Sequence, residues 1–392
     1  MKQFLFIIGL LVLLIVEIFR VYFIMPFPGS QHNNTIHFAY WLNNNIIWIR
    51  IILWLLIVYP VIQVLRYSKV WKKVLMIFFL LIYGAIFYLF NFRFLADKIF
   101  YQLVHKDFAN AATNKIAGDK LIIGVKINGE AKAYPIQLIG YHHQVRDTIG
   151  NTPVMVTYCT VCRTGRVFSP LVNGKNETFR LVGMDHFNAM FEDASTKSWW
   201  RQETGSVVAG PLQGVSLAEL PSTQATLAVW LKENPGSLIL QPDTLFKEQY
   251  EDLADYDKGT IKGGLEKRDS ASWKFKSWVI GVVHGDIAKA YDWNELVNKK
   301  MIQDSLNDLP ILISLEKDTA SFHVWDRNVY GAHLQFVKTG DSLKDLNTQS
   351  YWDQNGLCID GQLKGTQLKT VQAYQEFWHS WNTFHPNTIR YK

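Results

Sequence analysis

The sequence predicts a sheet-rich α+β protein in which three N-terminal transmembrane helices precede two related modules in tandem. Three observations carry that prediction. Long apolar stretches fill much of the first hundred residues. Residues 122–168 recur without a gap as residues 279–325. Both copies alternate strand-like runs with glycine and proline turns. The implied division is a membrane anchor over 1–100, a first module over 115–240, a linker or embellishment over 241–278, and a second module over 279–392.

The apolar stretches run from Phe4 to Ile24, from Ile46 to Leu65 and from Val74 to Phe90. Each is long enough to cross ~30 Å of hydrocarbon as a helix. A cleaved leader is the rival for the first, but Glu17 and Arg20 follow its apolar run and no small-residue cleavage site appears. Glu17 and Arg20 stand three apart and are expected to pair on one helix face. Residues 26–45 hold no Lys or Arg, whereas Arg66, Lys69, Lys72 and Lys73 cluster after the second span. The positive-inside rule places that cluster in the cytoplasm, and with it the N-terminus. The expected location is the cytoplasmic (inner) membrane, with residues 100–392 outside it, where thiols are prone to oxidation. Membrane lipid is then an expected partner.

The net charge of +6 is local to this anchor. Residues 1–100 hold nine Lys/Arg and two acids, leaving 31 Lys/Arg against 32 Asp/Glu in the remainder. A near-neutral domain lacks the basic stripe of a nucleic-acid surface, so no nucleic-acid partner is expected.

Within the first module, Leu121–Ile127 and Ala131–Tyr134 pattern as paired strands, joined by an Asn128-Gly129 turn signal. Pro135–Gln144 suits a short helix. Pro153–Tyr158 and Arg166–Phe168 pattern as strands flanking Cys159-Thr160-Val161-Cys162. Ser222–Glu233 and Val371–Thr383 suit helices that end near prolines. Ile123-Gly124-Val125 returns as Ile280-Gly281-Val282, and Ala131-Lys132-Ala133-Tyr134 as Ala288-Lys289-Ala290-Tyr291. Trp200 matches Trp352 and Trp230 matches Trp381, as buried scaffold would.

What only one copy keeps points to chemistry. Cys159 is replaced by Glu316 in the second copy, Cys162 by Thr319, and Arg163 by Ala320. His142 and His143 become Lys299 and Lys300, Arg201 becomes Asp353, and Glu203 becomes Asn355. The first module is the chemically equipped one. The third cysteine, Cys358, sits in an apolar run and is expected to be a small core residue.

Three readings of the cysteine turn stand side by side. Two sulfurs at Cys-x-x-Cys spacing can cycle between thiols and a disulfide, with Arg163 favouring the thiolate and an unknown protein thiol as partner. That reading expects an exposed bend, with the more exposed cysteine attacking. The same pair can grip copper or zinc delivered by a metal donor, with His142, His143 and His186 completing the set. A closed zinc site needs four ligands, and no second Cys-x-x-Cys is present. The third reading is a structural disulfide in a binding module, which in so short a loop contributes at most ~2 kcal/mol.

Around these residues the chain resembles the bacterial family of unknown function numbered 3179. The resemblance rests on Thr157-Tyr158-Cys159-Thr160-Val161-Cys162, on Ser198-Trp199-Trp200-Arg201-Gln202-Glu203-Thr204-Gly205, and on Gly210-Pro211-Leu212-Gln213-Gly214. It covers roughly 120–392. Two departures stand out: Thr160 replaces the usual proline, and Arg163 replaces the glycine expected after the second cysteine. Some relatives are described as carrying selenocysteine at this turn. The resemblance therefore implies redox chemistry, with Tyr158, Arg201 and Glu203 in support, but no assigned reaction.

Overall fold

The computed structural model describes residues 2–340 and 342–392, and of Lys2 and Gln3 only the backbone. These divide into two compact units. One comprises the chain up to Tyr101 together with Glu177–Ser216, and the other comprises Gln102–Asn176 together with Leu217–Lys392.

In the first unit the three apolar stretches form helices α1 (Lys2–Tyr22), α2 (Ile36–Tyr67) and α3 (Val70–Phe92), each long and apolar enough to cross a membrane. Their outer faces expose large apolar side chains such as Ile47, Leu55 and Phe78, as lipid-facing helices do. Glu17 does not pair with Arg20. It accepts from Arg50 Nε at 2.7 Å and Nη2 at 2.6 Å, and from Asn91 Nδ2 at 3.0 Å. Tyr83 OH adds a contact at 3.3 Å, so one buried carboxylate joins all three helices. A carboxylate in hydrocarbon needs several donors at once, and a neighbour on its own helix supplies only one side of it. Glu177–Ser216 forms an antiparallel sheet ordered Val207–Ala209, Trp199–Arg201, Asn188–Asp193, Phe179–Asp185.

The second unit contains both copies of the strand–strand–helix core. Strands Leu121–Ile127 and Glu130–Pro135 and helix Ile136–His142 have counterparts in strands Trp278–His284 and Ile287–Asp292 and helix Trp293–Lys299. Asn128 and Gly129 both hold positive φ (50° and 84°), the conformation a two-residue hairpin requires. Each core pair continues in the same order on both sides. Thr223–Thr226 adds antiparallel and Leu238–Leu240 parallel in the first copy, while Ala373–Phe377 and Ile389–Arg390 do so in the second.

Two helices expected from sequence begin later than their apolar patterns. Ser222–Glu233 splits into strand Thr223–Thr226 and helix Leu227–Glu233, capped by Thr226 Oγ1. Val371–Thr383 splits into strand Ala373–Phe377 and helix Trp378–Phe384. Sheet pairing with the core strand overrides helical periodicity in each. Trp230 and Trp381 then pack over Gly124 and Gly281, where an added Cβ would stand 2.5 and 2.1 Å from the indoles. Only glycine admits the ring at that approach.

Candidate functional site

Cys159 ends strand Thr152–Cys159, which pairs with Thr164–Phe168 in a register that sets Cys159 opposite Thr164. The four residues between them turn back, closed by Arg163 N–H donating to Thr160 O at 3.3 Å. This is a strand-to-strand turn, so the sulfurs do not open a helix of their own as they do in a helix-starting Cys-x-x-Cys motif. Neither sulfur is in a disulfide, and both are fully buried. The exposed bend expected from sequence is therefore not what the fold makes. The chain's own second copy and the segment before it close over the turn.

That cover is polar where it meets the turn. Lys276 Nζ donates to Val161 O at 2.5 Å and lies 3.1 Å from His379 Nε2. Phe275 stacks on the His379 ring at 4.2 Å. Phe377 N–H donates to Cys162 O at 3.0 Å. Thr164 Oγ1 and Ser380 Oγ stand 3.2 Å apart, and Ser380 donates to Glu376 Oε2 at 3.0 Å. Glu376 receives Arg166 Nη2 at 2.7 Å, an ion pair buried on both sides. On the other flank Tyr256 OH donates to Thr160 O at 2.9 Å and meets Tyr158 OH at 3.3 Å.

Burial pushes the Cys162 thiol well above its ordinary value, and Cys159 adds to the rise through a hydrogen bond and its charge. Lys276 and Ser380 oppose it. Burial lowers Lys276, and the two thiols pull it back up. Burial, then the Lys276 charge, brings His379 down to about 3, so this imidazole is neutral at neutral pH. Burial raises Tyr158 to about 12.

The cation acting on Cys162 is Lys276, not Arg163. Arg163 turns away: Nε donates to Gln375 Oε1 at 2.8 Å, and the guanidinium lies 3.8 Å from the Trp278 ring. His142 and His143 are buried. His142 Nε2 meets Tyr250 OH at 2.6 Å and His143 Nδ1 meets Tyr141 O at 3.1 Å. Burial lowers His143 to about 4, against the pull of the Tyr141 carbonyl. His186, Arg201 and Glu203 belong to the first unit. There Asp185 binds His186 Nδ1 at 2.6 Å and both Nε and Nη2 of Arg201, and Glu203 N–H donates to Asn188 Oδ1 at 2.9 Å. Burial raises the Asp185 carboxyl, but His186 and Arg201 overcome it and hold it below the usual range. Among the described residues, no group of three or more His, Cys, Asp or Glu is arranged to hold a metal ion. Cys358 is buried in the second copy's core, as expected of a small apolar side chain.

Residues 102–388 match the family described as "Protein of unknown function (DUF3179)". The chain belongs to that family. No curated protein and no solved structure matches it. The DUF3179 match begins ten residues after α3 and spans both copies, so the segment that covers the cysteine turn lies inside it. Sequence reasoning missed Lys276, Tyr256, Glu376 and His379. Two lie in the stretch taken for a linker and two in the copy taken for scaffold.

Proposed function

We propose that Cys159 and Cys162 form a two-electron dithiol–disulfide couple in a domain held on the outer face of the cytoplasmic membrane. The observation that carries this reading is the pair of unbridged thiols on one turn, hydrogen-bonded to each other and flanked by Lys276 and Ser380. In the reaction one thiolate attacks a partner protein's disulfide, forming a mixed disulfide and releasing one partner thiol. The second cysteine then attacks the mixed disulfide and releases the other partner thiol. The couple is oxidised to a ring-closing disulfide, the partner is reduced to two thiols, and the protons of Cys159 and Cys162 end on the partner sulfurs. Lys276 favours the thiolate, as a nearby cation does. Because both sulfurs are covered, exchange requires Lys276 and the segment 377–380 to lift. The basic cluster between α2 and α3 supports the orientation.

The test is a redox titration of the full chain in defined glutathione buffers, with alkylation and intact mass as readout. A midpoint above about −300 mV is expected, and one far below it marks a structural bridge. Anaerobic titration of the reduced chain with Cu(I) and Zn(II) is the second arm. Stoichiometric uptake at micromolar metal that is lost in Cys159→Ser moves the assignment to soft-metal handling.

A further inference from the structure

The second unit holds a cleft of about 400 Å³ walled by both copies. Equivalent positions of the two copies line it: Leu121 and Trp278, Arg163 and Ala320. The second turn thus leaves room that a second arginine would fill. Arg163 holds φ +55°, in the left-handed region that favours glycine. A side chain kept there against that preference points to what its end group reaches.

Its end group joins a cationic pair. The guanidinium carbons of Arg163 and Arg268 lie 3.8 and 4.0 Å from the Trp278 ring. Their strongest hydrogen bonds go to neutral amides, Gln375 Oε1 at 2.8 Å for Arg163 and Asn294 Oδ1 at 2.6 Å for Arg268. Arg163 has two further, longer bonds, to the carbonyls of Tyr256 and Asp257 at 3.5 and 3.4 Å. Among the described residues neither guanidinium forms an ion pair. Arg268 Nε and Trp278 Nε1 are buried donors with no hydrogen-bond partner among the described residues. Burial lowers Arg268, and the Arg163 charge lowers it further. Asp292 acts on Arg268 and Arg163 on Asp257 only at longer range, so two cations without a direct ion pair and two spare N–H donors in one wall can take an anion.

The acids of the same cleft narrow its class. Asp257 Oδ2 accepts from Leu121 N–H at 2.9 Å, but Oδ1 has no partner, and burial raises this carboxyl. With Asp119 beside it, this wall repels a multiply charged phosphate more strongly than a singly charged carboxylate. We propose that the cleft between the two copies binds a small organic carboxylate, anchored by Arg268 with Arg163 and Trp278 behind it. This site stands whether or not the cysteines are redox-active.

The test is calorimetric titration of the full chain in detergent micelles with acetate, succinate and citrate, and with inorganic phosphate as the rival arm. Saturable one-to-one binding of at least one carboxylate is expected, weakened about tenfold or more in Arg268→Gln and less in Arg268→Lys. Trp278→Phe keeps the ring and removes the N–H. It is the second variant should Arg268→Gln melt early, and it is expected to weaken binding about threefold or more. The proposal is overturned by the absence of saturable binding for all three acids. It is equally overturned by phosphate binding more tightly than any of them, or by unchanged affinity in both Arg268→Gln and Trp278→Phe.

Discussion

The first copy's turn at 159–164 and the second copy's turn at 316–321 occupy equivalent places and dock in equivalent ways. Each inserts into the strand-to-helix junction of the other copy. Phe377 N–H donates to Cys162 O at 3.0 Å on one side, and Thr226 N–H donates to Ser321 Oγ at 2.8 Å on the other. Gln224 and Gln375, at matching strand positions, meet at 3.0 Å between them. The covers differ. Over the cysteine turn stand Lys276, Glu376, His379 and Ser380. The matching positions over the second turn are Asp119, Ala225, Ala228 and Val229. Docking is therefore scaffold shared by both copies, while the group Lys276, Glu376, His379 and Ser380 has no counterpart over the second turn, where Thr226 Oγ1 donates to Asp318 instead. A duplicated fold has kept one geometry and put its chemistry on one side of it.

Removing Glu376 is the hardest blow to that asymmetry. Glu376→Ala leaves Arg166 buried without its 2.7 Å partner and is expected to destabilise the second unit by about 3–5 kcal/mol. His323 stands where Arg166 does in the first copy, 3.2 Å from Glu316 and 3.4 Å from Glu233. His323→Leu is expected to cost less, about 1–2 kcal/mol, because the Glu316 and Glu233 carboxylates it leaves are only partly buried and keep some solvent. Denaturant unfolding of the full chain in detergent measures both. Equal losses would mean that the two turns are anchored alike and that the polar cover has no special weight.

Adding a methyl group under each tryptophan probes the shared part. Gly124→Ala and Gly281→Ala both drive a Cβ into an indole, at 2.5 and 2.1 Å. Each is expected to cost about 1–3 kcal/mol, with Gly281→Ala the larger. The same unfolding assay decides. A loss confined to one copy would show that the equivalence of the two cores does not extend to their energetics.

How much of this was legible depends on how far apart in sequence the partners lie. The three spans, the hairpin at Asn128-Gly129 and the matched tryptophans follow from local patterns or from the repeat itself. The cysteine turn was visible as a motif, and its cover was not. Lys276 reaches Val161 across 115 residues and His379 does so across 218. Charge placed Lys276 in an apparent linker, and the missing cysteines marked the copy holding His379 as inert. The signal was present in a weaker form. Lys276 lies two residues before the repeated strand, where the first copy has Asp119, and a charge reversal at the edge of a repeat is a candidate for function. Glu17 failed for a related reason, since the nearest opposite charge in sequence was Arg20 and the partner in space is Arg50 on another helix.

The smallest effect expected is silent at neutral pH. His379 is held neutral down to about 3 and His143 to about 4, whereas the unfolded chain takes up these protons near 6.5. Below about pH 6.5 the unfolded state binds more protons than the folded one, so stability falls as pH falls and is unaffected above that range. His379→Gln removes one such group and is expected to flatten the stability slope between about pH 6 and pH 4 by up to about one proton. The second copy's cover supplies the control. Ala228 holds the matching position, and nothing there titrates. Introducing the imidazole as Ala228→His, on a helix face that is exposed, is expected to leave the slope unchanged. Urea unfolding at half-unit pH steps reads both variants. A slope that His379→Gln does not alter would mean that the imidazole beside Lys276 is reached by solvent, and that the cover over the sulfurs opens far more easily than its packing implies.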